Sequence, residues 1–291
     1  MANLQYTSIV RLLQHCDVDI QQPLHINRVR KQVAAEFAMS ANGFVEIGER
    51  TYNKSDVLEE LDKPDFLDRW QLHLIIWHNK QILQLLEDEF VNMDTIGQEL
   101  NPYRKDEIFI AFFSPYFKNN FNNMCRSLLY PPQFDILALF LKTQQLLLPQ
   151  DFEEAFNSIL KFLLAQERVL KNTTKDNYGL NRDALSIWRT ENWSAFFNML
   201  PDTFYELKDD IIIRFINLTV SIQSSNRADC KMYSSQMIKL AGIDAEHKRL
   251  IINNHGAFNG SSTNSEGGRS YWWILWVAIM LLRFASSSSC H

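Results

Sequence analysis

Through the middle of the chain apolar residues return every third or fourth position, the period of a helix rather than the alternation of a strand. Between residues 65 and 90, Leu72, Ile75, Ile76, Leu83, Leu86 and Phe90 recur at helical steps, while Arg69, Lys80, Gln84, Glu87 and Asp88 fill the opposite side. The spacing predicts one long helix here, with Pro64 at a first-turn position where its missing N–H has no helical partner to lose. A second helix is predicted to open at Asp151, with Glu154 reaching back as in a capping box. Its stripe is Phe152, Phe156, Ile159, Leu160, Leu163 and Leu170. Leu185, Trp188, Trp193, Phe196 and Leu200 predict a third helix. The cleanest stripe starts near Pro201 and Asp202 and carries Phe204, Leu207, Ile211, Phe215, Leu218 and Ile222 on one face. Residues 136–148 are apolar nearly all round, as in a helix at the centre of a bundle. Shorter helices are expected over 5–15, 27–39, 116–129 and 232–252.

One stretch breaks the pattern. Residues 44–52 depart from the helical period, and Asn42 and Gly43 ahead of them are a turn signal, so a small β-hairpin or an extended excursion is expected there. The predicted fold class is therefore all-α: an irregular multi-helix bundle of about seven to ten helices, a small hairpin near 44–52 and one C-terminal transmembrane helix. No strong boundary appears before residue 250. The expected organisation is a helical cytoplasmic domain over 1–252, a polar tether rich in Gly, Ser and Asn over 253–270, a tail anchor over 271–285 and a short polar tail over 286–291.

The anchor expectation rests on residues 271–282, among which no charge or amide falls. Tyr271, Trp272 and Trp273 form the aromatic belt typical of an interface, Trp276 and Leu282 lie within the apolar run, and Arg283 follows it. Residues 271–285 would make about 22 Å of helix at 1.5 Å per residue, against a hydrocarbon core of about 30 Å. Arg283 can snorkel outward and the following serines can extend the helix. The remaining mismatch favours local thinning or oligomerisation. An amphipathic helix lying on the surface would need a polar face, which this run lacks. Burial of the run in the body's own core is the other alternative.

Composition narrows the rest. Hydrophobic residues make up 46% of the chain, enough for a real core and too many for a disordered chain. The net charge of −5 argues against a general nucleic-acid binder, so no nucleic-acid partner is expected. Arg28, Arg30 and Lys31 are the best local basic patch, and a solvated first turn explains them more simply. Cys16, Cys125, Cys230 and Cys290 form no CxxC pair and read as free thiols. The first twenty residues lack the basic start and apolar stretch of a secretory signal, so the body is expected in the cytoplasm.

Candidate chemistry is sparse. There is no His-Glu-x-x-His or Glu-x-x-His motif, phosphate loop, dinucleotide fingerprint or nucleophile elbow. His73 and His78 are five residues apart, which turns them away from each other on a helix. His15, Cys16, Asp17, Asp19 and His25 are the densest group of metal-ligand types, but neighbours on a helix diverge. Glu59 and Glu60, Glu87 to Glu89, Glu153 and Glu154, and Asp209 and Asp210 read as solvated helix faces. The aromatic stretch 109–117 reads as core around a break at Pro115, with a docking surface as the alternative. No catalytic, cofactor or metal residue is assigned and no cofactor is expected. The leading expectation is a non-enzymatic scaffold or adaptor, with lipid and a protein partner or second copy as its contacts. The alternatives are a membrane-active effector whose short tails oligomerise and an enzyme with a site assembled from scattered residues.

Overall fold

The computed structural model describes residues 6–40, 43–87, 91 and 93–259. These form a mostly helical bundle with one two-stranded antiparallel sheet. The expected span at 271–285 lies outside the described residues, and among those described no helix is long and apolar enough to cross a membrane.

The N-terminal part comprises α1 (Ile9–His15), α2 (Ile26–Met39), β1 (Phe44–Ile47), β2 (Arg50–Asn53), α3 (Lys54–Asp62) and α4 (Phe66–His78). The predicted hairpin is present, with Val45 opposite Tyr52 and both side chains buried. Gly48 sits between the strands at φ +63, a conformation that side chains resist, so the tight turn falls on it. Asn53 ends β2 and also opens α3, its side chain accepting from Ser55 N at 2.8 Å. Ile9, Val10, Leu12, Leu13, Val29, Val33, Val57 and Leu61 gather with Phe37, Tyr52, Phe66 and Trp70 into one small core.

The larger part follows with α5 (Lys80–Leu86), α6 (Met93–Leu100), α7 (Glu107–Leu129), α8 (Phe134–Phe140), α9 (Phe152–Ala155), α10 (Asn157–Asn172), α11 (Tyr178–Asn181), α12 (Trp193–Met199), α13 (Tyr205–Ile222), α14 (Arg227–Met237) and α15 (Ala245–Phe258). Its axis is α7, which packs on α4, α5, α8, α9 and α10, while α10 in turn packs on α13. Asp106 opens α7 by accepting from Ile108 N and Phe109 N. The aromatic stretch is core: Phe109, Phe112, Phe113, Phe117 and Phe121 are all buried. The helix runs through Pro115 instead of breaking there.

Several predicted helices are divided, each for a local reason. The single helix expected over 65–90 stops at His78 because Asn79 is extended and its Nδ2 donates to Ile75 O at 2.7 Å. The next helix starts at once, its first amides donated to the Glu99 carboxylate (Gln81 N 3.1 Å, Ile82 N 3.3 Å). Asp151 makes no cap bond. Its carboxylate accepts from Ser114 Oγ at 2.6 Å and pairs with Lys118, so the capping box does not form. The stripe expected there is offset: Leu160 is exposed and Phe162 is buried in its place. Residues 136–148 begin in α8 and continue as a 3-10 turn over Leu141–Leu146, with Leu139 exposed. The third expected helix is a 3-10 turn, Ser186–Arg189, followed by α12, and the chain turns between them at Asn192 with φ +66. The cleanest stripe is confirmed over α13, where Ile211, Phe215, Leu218 and Ile222 are buried. The helix expected over 232–252 is two helices, α14 and α15, with Gly242 at φ +63 between them. α15 reaches Phe258, so the first six residues of the expected tether are helical; residues 260–270 lie outside the described residues.

Candidate functional site

Two hydrophobic cores meet along a seam, and polar groups collect there. Trp77 packs against both cores. Glu87, at the end of α5, is buried and pairs with Arg11 of α1 at 2.9 Å and Arg50 of β2 at 3.6 Å. It was expected on a solvated face. Its burial follows from closing the seam, because two arginines from the smaller core need a carboxylate from the larger one.

A cavity of about 630 Å³ opens along the same seam. His73 reaches it from the buried side of α4, where Trp70, Leu72 and Ile76 are its neighbours. Tyr6 enters from the segment before α1, Tyr52 from β2, Glu60 and Lys63 from α3 and the turn after it, and Tyr116 from α7. Tyr6 Oη lies 3.1 Å from His73 Nδ1, with the rings stacked at 5.8 Å. Tyr116 meets Tyr6 edge-on at 5.4 Å, and His73 meets Phe112 edge-on at 5.0 Å. The Glu60 carboxylate accepts from Lys63 Nζ at 2.6 Å, stands 3.2 Å from Arg69 Nη1 and lies 3.5 Å from His73 Nε2. Arg69 donates to Tyr116 Oη at 3.1 Å and covers the Phe112 ring at 4.8 Å.

The electrostatics follow from burial and partners. Burial pushes the His73 imidazole down and outweighs the pull of Glu60, so the ring is neutral near neutral pH. A phenol is the natural donor to an imidazole nitrogen. We therefore assign the Tyr6 hydroxyl as donor to Nδ1 and the ring proton to Nε2, facing Glu60. For Glu60, burial works upward, but the contacts from His73 and Lys63 and the charge of Arg69 win and hold its carboxyl at about 2. Burial raises Tyr6 well above the usual phenol value, with Tyr116, Glu87 and Glu60 adding to it. His73 Nε2 and Glu60 Oε1 are both sealed from solvent and face each other at 3.5 Å, with Arg69 Nη1 3.2 Å from the same carboxylate oxygen.

Tyr6 stays protonated, which disqualifies it as a nucleophile. His73 holds one nitrogen on Tyr6 and turns the other to Glu60. Burial, with nearby carboxylates adding to it, pushes the Cys16 and Cys230 thiols up to about 11, and burial raises Cys125 further. The described thiols are therefore inert.

The expected anchor residues Tyr271, Trp272, Trp273, Trp276, Leu282 and Arg283 lie outside the described residues. Of the loose ligand group, His15 bonds Glu36 at 3.1 Å and Cys16 is buried; among the described residues no cluster of three metal-ligand types forms. Arg28, Arg30 and Lys31 are exposed, Arg30 pairing with Asp62 at 3.0 Å. Glu59 is solvated as expected, whereas Glu60 beside it is drawn into the seam. Asp209 bonds His247 at 2.8 Å. The sequence reading missed the cavity, and its only sign was His73 standing among apolar positions of a helix. No known protein family, curated protein or solved structure matches this chain.

Proposed function

We propose that this chain is a helical binding module held at the cytoplasmic face of a membrane by its C-terminal apolar segment, acting by localisation rather than by catalysis. The observation that carries this reading is a contrast within the chain. No helix among the described residues is long and apolar enough to span a bilayer, whereas residues 271–282 run without a single charge or amide. The protonated Tyr6 and the inert thiols support binding over chemistry. Anchoring raises the effective concentration of the module for a membrane-bound protein partner or for a second copy, without any new contact. Lipid contacts fall to Tyr271, Trp272, Trp273 and Trp276, and the short run ending at Leu282 and Arg283 favours self-association.

Because α15 packs through Phe258, the informative truncation falls after Asn259. Full-length protein is expected to sediment with membranes and to need detergent for release, while the truncated chain stays in the supernatant. Equal solubility of the two removes the anchor. Dye entry into cells expressing the full chain, absent with the truncation, would instead mark the membrane-active alternative.

A further inference from the structure

We propose that the outer face of α10 is a lipid-docking face that lays the body of the protein against an anionic bilayer; this rests on the membrane reading above and names the contact the body makes there. At about 100° per residue, Leu160, Lys161, Leu164, Ala165, Arg168 and Lys171 share one arc of about 140°, and all six are exposed. Leu160, expected within the core stripe, is 38% exposed and Leu164 is 46% exposed. The arc carries three cations and no acid. Glu167, the only acid of α10, lies beside the arc and is held by Arg214 of α13 at 2.7 Å. Among the described residues the side chains of Lys161, Arg168 and Lys171 form no ion pair or hydrogen bond.

Around the arc the two chemistries alternate: Leu160, Lys171, Leu164, Arg168. A solvated face gains nothing from leucines set between cations. A bilayer interface takes both, because the leucines enter the acyl boundary while the long basic stems reach back to headgroup phosphates. The face is the outside of a helix and lines no part of the seam cavity, so it suits a plane rather than a small ligand.

Charge selects the kind of bilayer. The chain carries −5 overall, so the positive face is local, and an anionic surface repels the rest of the body while attracting this side of it. The reach is sufficient. α13 packs on both α10 and α15, which at 8–10 Å per packed pair sets α10 about 20 Å from the helix that leads to the tail. Residues 260–270, which join α15 to the apolar run, can span up to about 36 Å.

The test is amine footprinting of the full chain on vesicles, with a water-soluble acetylating reagent read peptide by peptide. On phosphatidylcholine vesicles containing roughly one-third phosphatidylserine, Lys161 and Lys171 are expected to react at least about fivefold more slowly than on pure phosphatidylcholine, and to recover at about 1 M salt. Lys31 is the internal control: it lies on α2, which packs on α3 and β1, whereas α10 packs on α7, α9 and α13. It is expected to react alike on both vesicles. The variant L160Q/L164Q alters two exposed positions and leaves both cores intact, and is expected to reduce the protection by about half or more. Unchanged protection in that variant overturns the entry of the leucines. Equal reactivity of Lys161 and Lys171 on the two vesicles, or protection of Lys31 in their place, overturns the docking face. Flotation with pure phosphatidylcholine vesicles reads the tail separately: a chain that does not float there loses its anchor, and one that floats without protecting Lys161 loses only the docking face.

Discussion

The two cores solve the same problem with different materials. The smaller one, under α1 to α4 and the hairpin, is chiefly aliphatic, and arginine–carboxylate pairs fasten it to the rest. The larger one mixes aliphatic side chains with interlocked rings: Trp188 meets Trp193, Phe197 and Phe215 nearly at right angles, with centroids 5.0–5.5 Å apart. Rings of this kind fill irregular space, and the larger core accordingly tolerates 3-10 turns and short helices without opening. The smaller core has no 3-10 turn among its described elements but ends abruptly, and its boundary must be polar. The difference teaches that the cavity is a product of the joint. It lies where neither packing style continues into the other.

The sharpest way to break the comparison is Trp188→Ala. It removes a fully buried ring and the Nε1–H bond to Gln166 at 2.9 Å, and should cost about 3–5 kcal/mol. Helix-resolved hydrogen exchange is expected to show α10 and α13 losing protection while α2 keeps its own. Uniform loss would mean that the two cores unfold as one. Next in size, Glu87→Ala strips the carboxylate shared by Arg11 and Arg50 and should cost about 2–3 kcal/mol, lowered from the fully buried case because both arginines reach solvent. Its signature is greater exchange in α1 and the hairpin.

Acid should act at the same seam. Glu60 is depressed to about 2, so its contribution is fully present above the usual carboxylate range and is lost as pH falls from there toward about 2. His73, depressed by burial, adds a loss in the same direction that begins as pH falls below the usual imidazole value, because the unfolded chain takes up the proton first. Glu60→Gln should flatten the lower part of that limb in chemical unfolding, by about 1 kcal/mol after solvent screening. Smallest is Asp106→Ala at the start of α7, about 1 kcal/mol, read as a shifted denaturation midpoint with an unchanged slope.

Much of the fold was legible because period survives context. The face of α13 follows from spacing alone, and the burial of the Phe109 to Phe121 run from its density of rings, whereas Phe66, Trp70 and His73 on α4 were not in the expected stripe. The interruptions were not legible, since their causes are remote. The stop at Asn79 is local, but the restart depends on Glu99, and Asp151 forgoes its cap for Ser114, thirty-seven residues earlier. The cavity was hidden for the same reason. Tyr6, Glu60, His73 and Tyr116 come from four separate segments, and their pairing exists only once the seam closes. An acidic pair such as Glu59 and Glu60 cannot announce which member turns inward.

α14 and α15 lie antiparallel, so the end of α15 rests beside the start of α14. Arg227 donates to Phe258 O at 3.1 Å and to Ala257 O at 3.0 Å, His255 meets Ser234 at 2.8 Å, and Lys248 holds Ile238 O at 2.6 Å nearer the turn. A pull outward at Asn259 therefore meets these rungs one after another rather than together. The last helix peels like tape instead of shearing, and each rung yields at low force. Mechanical load at this end is released by lifting α15 away, before it reaches the interlocked rings beneath.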